Sequence, residues 1–225
     1  MIQSGKCFFS CLIVYLDTFF VKYDSNYMSS ANAFTAARII LAPLFFVLFF
    51  LPEQIGIGTR ESVFVLVPLF LFMEYTDYLD GFFARKYDEV SDFGKLFDPF
   101  ADVLANMTVL LVFVLSGYLP ALLFLIILYR EMGIMFIRML SIRKGVVIAA
   151  RMGGKTKTVL YIVAAGFSLG IESLSRLDVS PVISMQTLFR VNLFLYGIAV
   201  LASVLSFIDY FKRFSSIIES GGQKA

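Results

Sequence analysis

Four aspartates stand in two closely spaced pairs within a strongly apolar part of the sequence. Asp77 and Asp80 are three residues apart, and Asp98 and Asp102 are four apart. At 3.6 residues per turn, the two members of each pair lie on one face of a helix. A charged side chain at the centre of a membrane helix costs roughly 3 kcal/mol even on lenient scales. The four carboxylates therefore indicate a polar cavity or a bound ion.

Carboxylate oxygens are the ligands that hard divalent cations such as Mg²⁺ and Mn²⁺ prefer, commonly together with substrate phosphates. We therefore expect a site for two divalent ions that supports phosphoryl chemistry. Gly81, Ala84 and Gly94 recur at helical spacing beside the aspartates, where small side chains leave room for a ligand or a second helix. The competing interpretation is solvated charges at helix ends, paired with Arg85 and Lys95.

A second cluster, rich in cations, follows further along the chain. Arg130 and Arg138 are eight residues apart, which places them about 80° apart around a helix, so both can face one cavity. The segment 153–158, Gly-Gly-Lys-Thr-Lys-Thr, offers backbone N–H groups at the start of a helix. Such a place suits a phosphate group. The alternative, which is stronger for Arg143, Lys144 and Arg151 than for Arg130, is anchoring to anionic lipid headgroups.

The composition predicts that these residues belong to an integral membrane protein. Of 225 residues 59% are hydrophobic, whereas soluble domains contain nearer 45 to 50%. Apolar stretches approach the 20 or so residues that a spanning helix needs at 33–51, 62–84, 95–118, 119–140, 155–172 and 190–211. The predicted fold class is all-α, a polytopic bundle of six transmembrane helices.

The distribution of Lys and Arg predicts the orientation of this bundle. With the N-terminus on the cytoplasmic side, only Arg60, Arg176 and Arg190 of the 19 basic residues lie outside. The aspartates of the second and third helices then face the cytoplasm, and the outer halves of the helices are expected to be almost wholly apolar. We expect a multi-pass protein of the cell (inner) membrane.

Residues 1–31 are predicted to form an N-terminal extension that carries an interfacial helix on the cytoplasmic leaflet. Residues 7–20 are apolar, but this stretch is short and is interrupted by Asp17. A signal peptide and a start codon set too far upstream are the alternatives. Residues 32–213 are expected to form one six-helix domain, and residues 214–225 a cytoplasmic tail.

The composition also excludes several kinds of chemistry. The chain has no histidine, so acid-base catalysis must rely on Asp, Glu, Lys or Tyr. Cys7 and Cys11 lack the spacing of a zinc or redox motif. The net charge of +2, without a basic aromatic pattern, gives no indication of a nucleic-acid partner.

The aspartate pattern resembles the signature of the CDP-alcohol phosphotransferases, six-helix membrane enzymes that make phospholipids. It reads Asp77-x-x-Asp80-Gly81-x-x-Ala84-Arg85, then eight residues, then Gly94-x-x-x-Asp98-x-x-x-Asp102. The resemblance covers roughly residues 30–213; one departure is Ala31, where the family usually has Pro. It implies that two divalent ions, Mg²⁺ or Mn²⁺, are bound by Asp77, Asp80, Asp98 and Asp102.

The same resemblance implies roles for the neighbouring residues. Asp102 would also act as the base on the acceptor hydroxyl, and Ala84 would give room beside the nucleotide. The CDP moiety would be contacted by Asn32, Thr35, Gly81, Arg85 and Ser91. From the residues alone, Asn32, which opens the motif Asn32-x-x-Thr35-x-x-Arg38, is equally well explained as a helix N-cap.

The second cluster resembles the branch of this family that uses glycerol 3-phosphate as acceptor. Arg130-Glu131 and Gly154-Lys155-Thr156-Lys157-Thr158 match that branch in order and spacing. The resemblance implies transfer of a phosphatidyl group from CDP-diacylglycerol to glycerol 3-phosphate, with release of CMP, by a homodimer among membrane lipids. The acceptor phosphate would be held by Arg130, Arg138, Lys155 and Lys157.

Other functions remain open at this point. Within the family, inositol phosphate or serine are alternative acceptors, and a CDP-choline-type donor is a further alternative. A divalent cation transporter would also carry carboxylates in the membrane, but the apolar outer halves of the helices argue against a conduction path. A purely structural membrane protein is the third class.

Overall fold

The computed structural model describes residues 30–56, 58–87, 94–143 and 152–221, with side chains over 37–56, 58–76, 99–141, 157–212 and 214–215. Six α-helices and no strand occur in these ranges, so the all-α prediction is confirmed. They are α1 Ser30–Ile55, α2 Thr59–Tyr87, α3 Gly94–Leu115, α4 Ala121–Arg143, α5 Met152–Arg176 and α6 Met185–Gly221.

Each helix coincides with one of the apolar stretches expected from the sequence. Within the described residues, three segments are long and apolar enough to cross a membrane, namely Ala37–Ile55, Lys157–Arg176 and Met185–Lys212, and Pro99–Leu115 is a shorter apolar segment. The chain is therefore an all-α membrane protein, and six crossings stay a prediction. The expected N-terminal extension, residues 1–31, lies outside the described residues except for residues 30 and 31, which begin α1. Helix α6 continues to Gly221, past the expected domain end at residue 213.

A glycine turn joins α3 to α4. Gly117 has a φ of 79°, which a residue without a Cβ adopts at no steric cost. Its N–H bonds to the carbonyl of Val114, and the N–H of Tyr118 bonds to the carbonyl of Phe113. The rings of Phe113 and Tyr118 meet edge to face at 6.3 Å. This combination is the Schellman motif, so local sequence ends α3 here.

Helices α1, α2 and α3 form one closely packed group, and α5 and α6 form a second group. Helix α1 packs closely against both α2 and α3, and α5 packs closely against α6. Helix α4 packs against α6 and α3, while α5 also contacts α2 and α3. Phe45 and Phe49 of α1, Phe70 of α2 and Phe113 of α3 form a buried aromatic core. Because α1 touches both helices that carry the aspartates, it sets their relative position.

The end of the bundle that carries the α1–α2, α3–α4 and α5–α6 connections, here called the outer end, contains a buried arginine. Arg176 of α5 has only 3% of its side chain exposed. Its Nε donates to Glu172 Oε1 at 2.6 Å, and its Nη1 donates to Ser62 Oγ at 2.8 Å. Its Nη2 donates to the carbonyl of Phe49 at 2.9 Å and to Glu53 Oε1 at 3.1 Å. The expectation of an almost wholly apolar outer half is wrong here, because three helices surround this cation with acceptors.

Tyr118 connects the α3–α4 turn to α5 and α6. Its hydroxyl donates to Glu172 Oε2 at 2.7 Å, and burial, followed by this bond, raises the pKa of Tyr118 above its ordinary value, so the phenol stays protonated. Its carbonyl accepts from Asn192 Nδ2 at 2.9 Å. The hydroxyl of Ser168 in turn donates to Asn192 Oδ1 and lies 3.1 Å from the hydroxyl of Tyr196. These interhelical bonds fix the depth of α5 and α6 relative to the turn.

Candidate functional site

The backbone places the predicted metal ligands on two helices that both contact α1. Asp77 and Asp80 lie on α2, and Asp98 and Asp102 lie on α3. Of these four, only Asp102 has a described side chain. The side chains of the predicted nucleotide contacts lie outside the described residues: Asn32 and Thr35 on α1, Gly81, Ala84 and Arg85 on α2, and Ser91 before α3. The convergence of the four carboxylates therefore stays a prediction.

Asp102 forms an ion pair with Arg38 of α1. Arg38 Nη1 donates to Asp102 Oδ1, and the side chains are 5% and 43% exposed, respectively. Such charge-assisted bonds are stronger than neutral ones and fix the orientation of a carboxylate. This contact holds one of the two carboxylate oxygens of Asp102. From the sequence, Arg38 was recognised only as a member of the polar motif of α1, and that motif was the one signal for a role in the site.

The donor chemistry of the aspartates fits a hard divalent ion. Among the described residues no group of three or more potential metal ligands occurs, and the side chains of Asp77, Asp80 and Asp98 lie outside those residues. Asp102 is half-exposed and its Oδ1 is oriented by Arg38, so its second oxygen can serve as a ligand. An all-oxygen set of this kind suits Mg²⁺ or Mn²⁺.

The cation cluster, defined here as Arg130, Glu131 and Lys157, brings α4 and α5 together. Glu131 Oε1 accepts from Arg130 Nη1 at 2.9 Å and from Lys157 Nζ, and all three side chains are buried. Arg130 also bonds to α6, since its Nε donates to the carbonyl of Ser203 at 3.2 Å and its Nη2 donates to Ser206 Oγ at 3.1 Å. A single carboxylate is thus shared by two cations.

The cation cluster retains capacity to bind an anion. Arginine has five N–H donors and lysine has three, and bonds to described residues occupy three donors of Arg130 and one of Lys157. Arg138 is half-buried and its charge also acts on Lys157. Two cations therefore share one carboxylate, and Arg138 adds positive charge near Lys157. This positive excess suits a phosphate. Lys155 lies on α5, with its side chain outside the described residues.

The cation cluster and Asp102 lie at similar depth in the bundle. Helices α3 and α4 run in opposite directions from their shared outer turn. At 1.5 Å per residue, Asp102 lies about 20 Å from the outer end of α3, and Glu131 lies about 15 Å from the outer end of α4. The difference is about one helical turn, so the carboxylate and the cations lie at a similar height along the bundle.

The chain matches known proteins along most of its length. Residues 28–208 match a family model described as CDP-alcohol phosphatidyltransferase. The chain is 39% identical over 199 residues to the CDP-diacylglycerol--glycerol-3-phosphate 3-phosphatidyltransferase of Treponema pallidum, with 85% of this chain and 92% of that protein covered. It is 31% identical over 208 residues to the protein of the same name from Mycoplasma genitalium, with 88% of each chain covered.

A third relative of that name, from Bacillus subtilis, is 36% identical over 140 residues, with 59% of this chain and 72% of that protein covered. The family match spans nearly all of α1 to α6, including both aspartate pairs and the cation cluster. The resemblance seen in the aspartate motif is thereby confirmed, and the chain belongs to the CDP-alcohol phosphatidyltransferase family.

Proposed function

We propose that this protein is a metal-dependent transferase of phospholipid biosynthesis. It transfers the phosphatidyl group of CDP-diacylglycerol to glycerol 3-phosphate, giving phosphatidylglycerophosphate and CMP. The names of the relatives support both substrates. The observation that carries the proposal for the acceptor is the cation cluster, because an excess of buried positive charge at the depth of Asp102 suits an acceptor that bears a phosphate.

The family uses divalent metal ions, and we assign two of them, Mg²⁺ or Mn²⁺, to Asp77, Asp80, Asp98 and Asp102. When bound, such ions neutralise the pyrophosphate and make its phosphorus more electrophilic. The nucleotide is assigned to Asn32, Thr35, Gly81, Arg85 and Ser91, and Ala84 leaves space beside it. These assignments rest on the signature motif and on the backbone positions of α1 and α2.

Asp102 is the proposed general base. The acceptor hydroxyl gives its proton to Asp102 as its oxygen attacks the phosphorus that bears diacylglycerol, and the bond from that phosphorus to the CMP oxygen breaks. Arg38 holds Oδ1 and so orients the carboxylate that takes the proton. Arg130, Arg138, Lys155 and Lys157 hold the phosphate of glycerol 3-phosphate, which keeps the reacting hydroxyl in line.

We place the protein in the cell (inner) membrane, with its site on the cytoplasmic side, because the predicted inner loops carry most of the basic residues. We also propose a homodimer. Helix α4 exposes an apolar stripe at three- and four-residue spacing, which a second copy or lipid acyl chains would cover. The stripe consists of Leu122, Leu125, Tyr129, Met132, Phe136 and Met139.

The test is CMP release by the purified protein in detergent, with CDP-diacylglycerol and Mg²⁺ or Mn²⁺. Glycerol 3-phosphate, inositol phosphate, inositol and serine are supplied separately as acceptors, and Asp102→Asn is assayed alongside. We expect turnover with glycerol 3-phosphate alone and its loss in the variant. Turnover with a different acceptor would refute the proposed substrate. Uptake of the metal into proteoliposomes without any CDP-lipid would indicate transport instead.

A further inference from the structure

We propose that Tyr161 and Ser203 are positioning residues for the acceptor, because they set the spacing of the two cations that hold its phosphate. The inference rests on the proposed function and deepens it. Neither residue belongs to the aspartate motif or to the cation cluster. Both are buried, and Tyr161 lies one helical turn beyond Lys157 on α5.

The contacts form a closed ring through three helices. The Tyr161 hydroxyl donates to Ser203 Oγ, and the carbonyl of Ser203 accepts from Arg130 Nε at 3.2 Å. Arg130 bonds to Glu131, and Glu131 bonds to Lys157. Lys157 Nζ lies 5.7 Å from the centre of the aromatic ring of Tyr161, and this cation–π contact links the last residue of the series back to the first. Helix α6 thereby fixes Arg130 of α4 relative to Lys157 of α5.

The ring has a direct consequence for binding a phosphate. Glu131 bonds to both cations, so the direction in which their remaining N–H donors point depends on what else holds each side chain. The bond from Nε to the carbonyl of Ser203 fixes the guanidinium of Arg130, and the ring of Tyr161 lies against the ammonium of Lys157. Preorganised donors bind more tightly because less is spent on ordering them. Tyr161 bonds to Ser203, and the Ser203 carbonyl bonds to Arg130, so we expect their loss to act on the acceptor rather than on the nucleotide.

The test compares two buried, hydrogen-bonded tyrosines, one beside the cation cluster and one remote from it. Tyr161→Phe retains the ring and removes the hydroxyl that bonds to Ser203. Tyr196→Phe is the matched control, because Tyr196 is equally buried and its hydroxyl also lies within hydrogen-bond distance of a serine, Ser168, away from the cation cluster. Ser203→Ala and the double variant Tyr161→Phe/Ser203→Ala complete the set. For each, KM for glycerol 3-phosphate, KM for CDP-diacylglycerol and kcat are measured in detergent.

We expect Tyr161→Phe and Ser203→Ala each to raise KM for glycerol 3-phosphate about three- to tenfold, since a hydrogen bond contributes on the order of 1 kcal/mol. The KM for CDP-diacylglycerol and kcat should change less than twofold. The double variant should match the larger single effect, because both substitutions remove the same bond. Tyr196→Phe should leave both KM values unchanged.

An unchanged KM for glycerol 3-phosphate in Tyr161→Phe would overturn the inference while the proposed function stands. An equal rise in Tyr196→Phe, or an equal rise in KM for the CDP-lipid, would also overturn it, since either would indicate general loosening of the bundle. If the unmodified protein fails to use glycerol 3-phosphate, the proposed function and this inference fall together.

Discussion

Replacing Arg176 by methionine is expected to destabilise the protein and to leave its catalysis intact. Methionine retains much of the apolar stem and removes the whole guanidinium, which donates five N–H groups and lies 4.6 Å from the centre of the Phe49 ring. Arg176 lies 19 residues from Lys157 on α5, or about 28 Å along the helix. The substitution is therefore remote from the proposed site, and KM for both substrates should stay the same wherever the variant is folded.

The magnitude follows from what each acceptor loses. Glu53 is 52% exposed, so water replaces the cation there, whereas Glu172 is only 12% exposed and keeps only the hydroxyl of Tyr118 from its described partners. Removing one partner of a buried ion pair costs about 3–5 kcal/mol. The neutral bonds to Ser62 and Phe49 add little, because interhelical bonds in membranes average about 0.6 kcal/mol. With a single strongly buried carboxylate left, we expect about 3 kcal/mol.

The assay is thermal unfolding in detergent at one fixed scan rate. For a chain of this length 1 kcal/mol shifts Tm by about 2–4 °C, so Arg176→Met should lower Tm by about 6–12 °C. Arg60→Met is the control, because Arg60 and Asp178 are 61% and 82% exposed at 3.4 Å and such pairs contribute at most about 1 kcal/mol. Glu172→Gln combined with Arg176→Met should recover part of the loss. A Tm for Arg176→Met no lower than that of Arg60→Met would refute the reasoning.

Three further outcomes are expected. Arg38→Lys should lower kcat about tenfold, since an ammonium cannot reproduce the fixed fork that orients Asp102, and a normal kcat would show that this orientation is unimportant. Lys157→Met should raise KM for glycerol 3-phosphate at least tenfold with little change in KM for CDP-diacylglycerol. Lys212→Met, at an exposed position, should change neither KM value. Equal effects of the two substitutions would contradict the cation cluster as the acceptor site. Gly117→Ala should lower Tm by about 2–4 °C, because a φ of 79° costs a residue with a Cβ about 1 kcal/mol. The added Cβ meets no atom within 4 Å, so no clash contributes. An unchanged Tm would show that the turn relaxes.

The helices were predictable because each depends on local information. A run of apolar residues long enough to span a membrane must form helix to satisfy its own backbone, and all six runs coincide with helices. The α3–α4 turn was also predictable from local sequence, because Ser116-Gly117 and Pro120 mark it. The last helix was less predictable, because residues 212–221 are polar enough to resemble a tail, yet the helix continues through them.

Contacts between distant residues were harder to predict. The pairing of Arg38 with Asp102 joins residues 64 apart in sequence, and spacing on a single helix cannot reveal a partner on another. Arg176 was assigned to the outside by counting charges, and the four-residue spacing from Glu172 was the only local sign of its burial. Glu131 was recognised as part of a motif, but its sharing between Arg130 and Lys157 depends on how α4 meets α5.

The position of Arg176 in the chain has a consequence for the order in which the protein is assembled. Its partners Ser62 and Glu53 precede it by 114 and 123 residues. At a synthesis rate of about 5–20 residues per second, they emerge roughly 6–25 s before the arginine does. Glu53 is half-exposed and can stay hydrated during that time, whereas Arg176 is buried only when α1 and α2 already stand in place. The outer end of the bundle therefore closes late in biogenesis, and a nascent chain that stops before residue 176 lacks the cation that draws its first, second and fifth helices together.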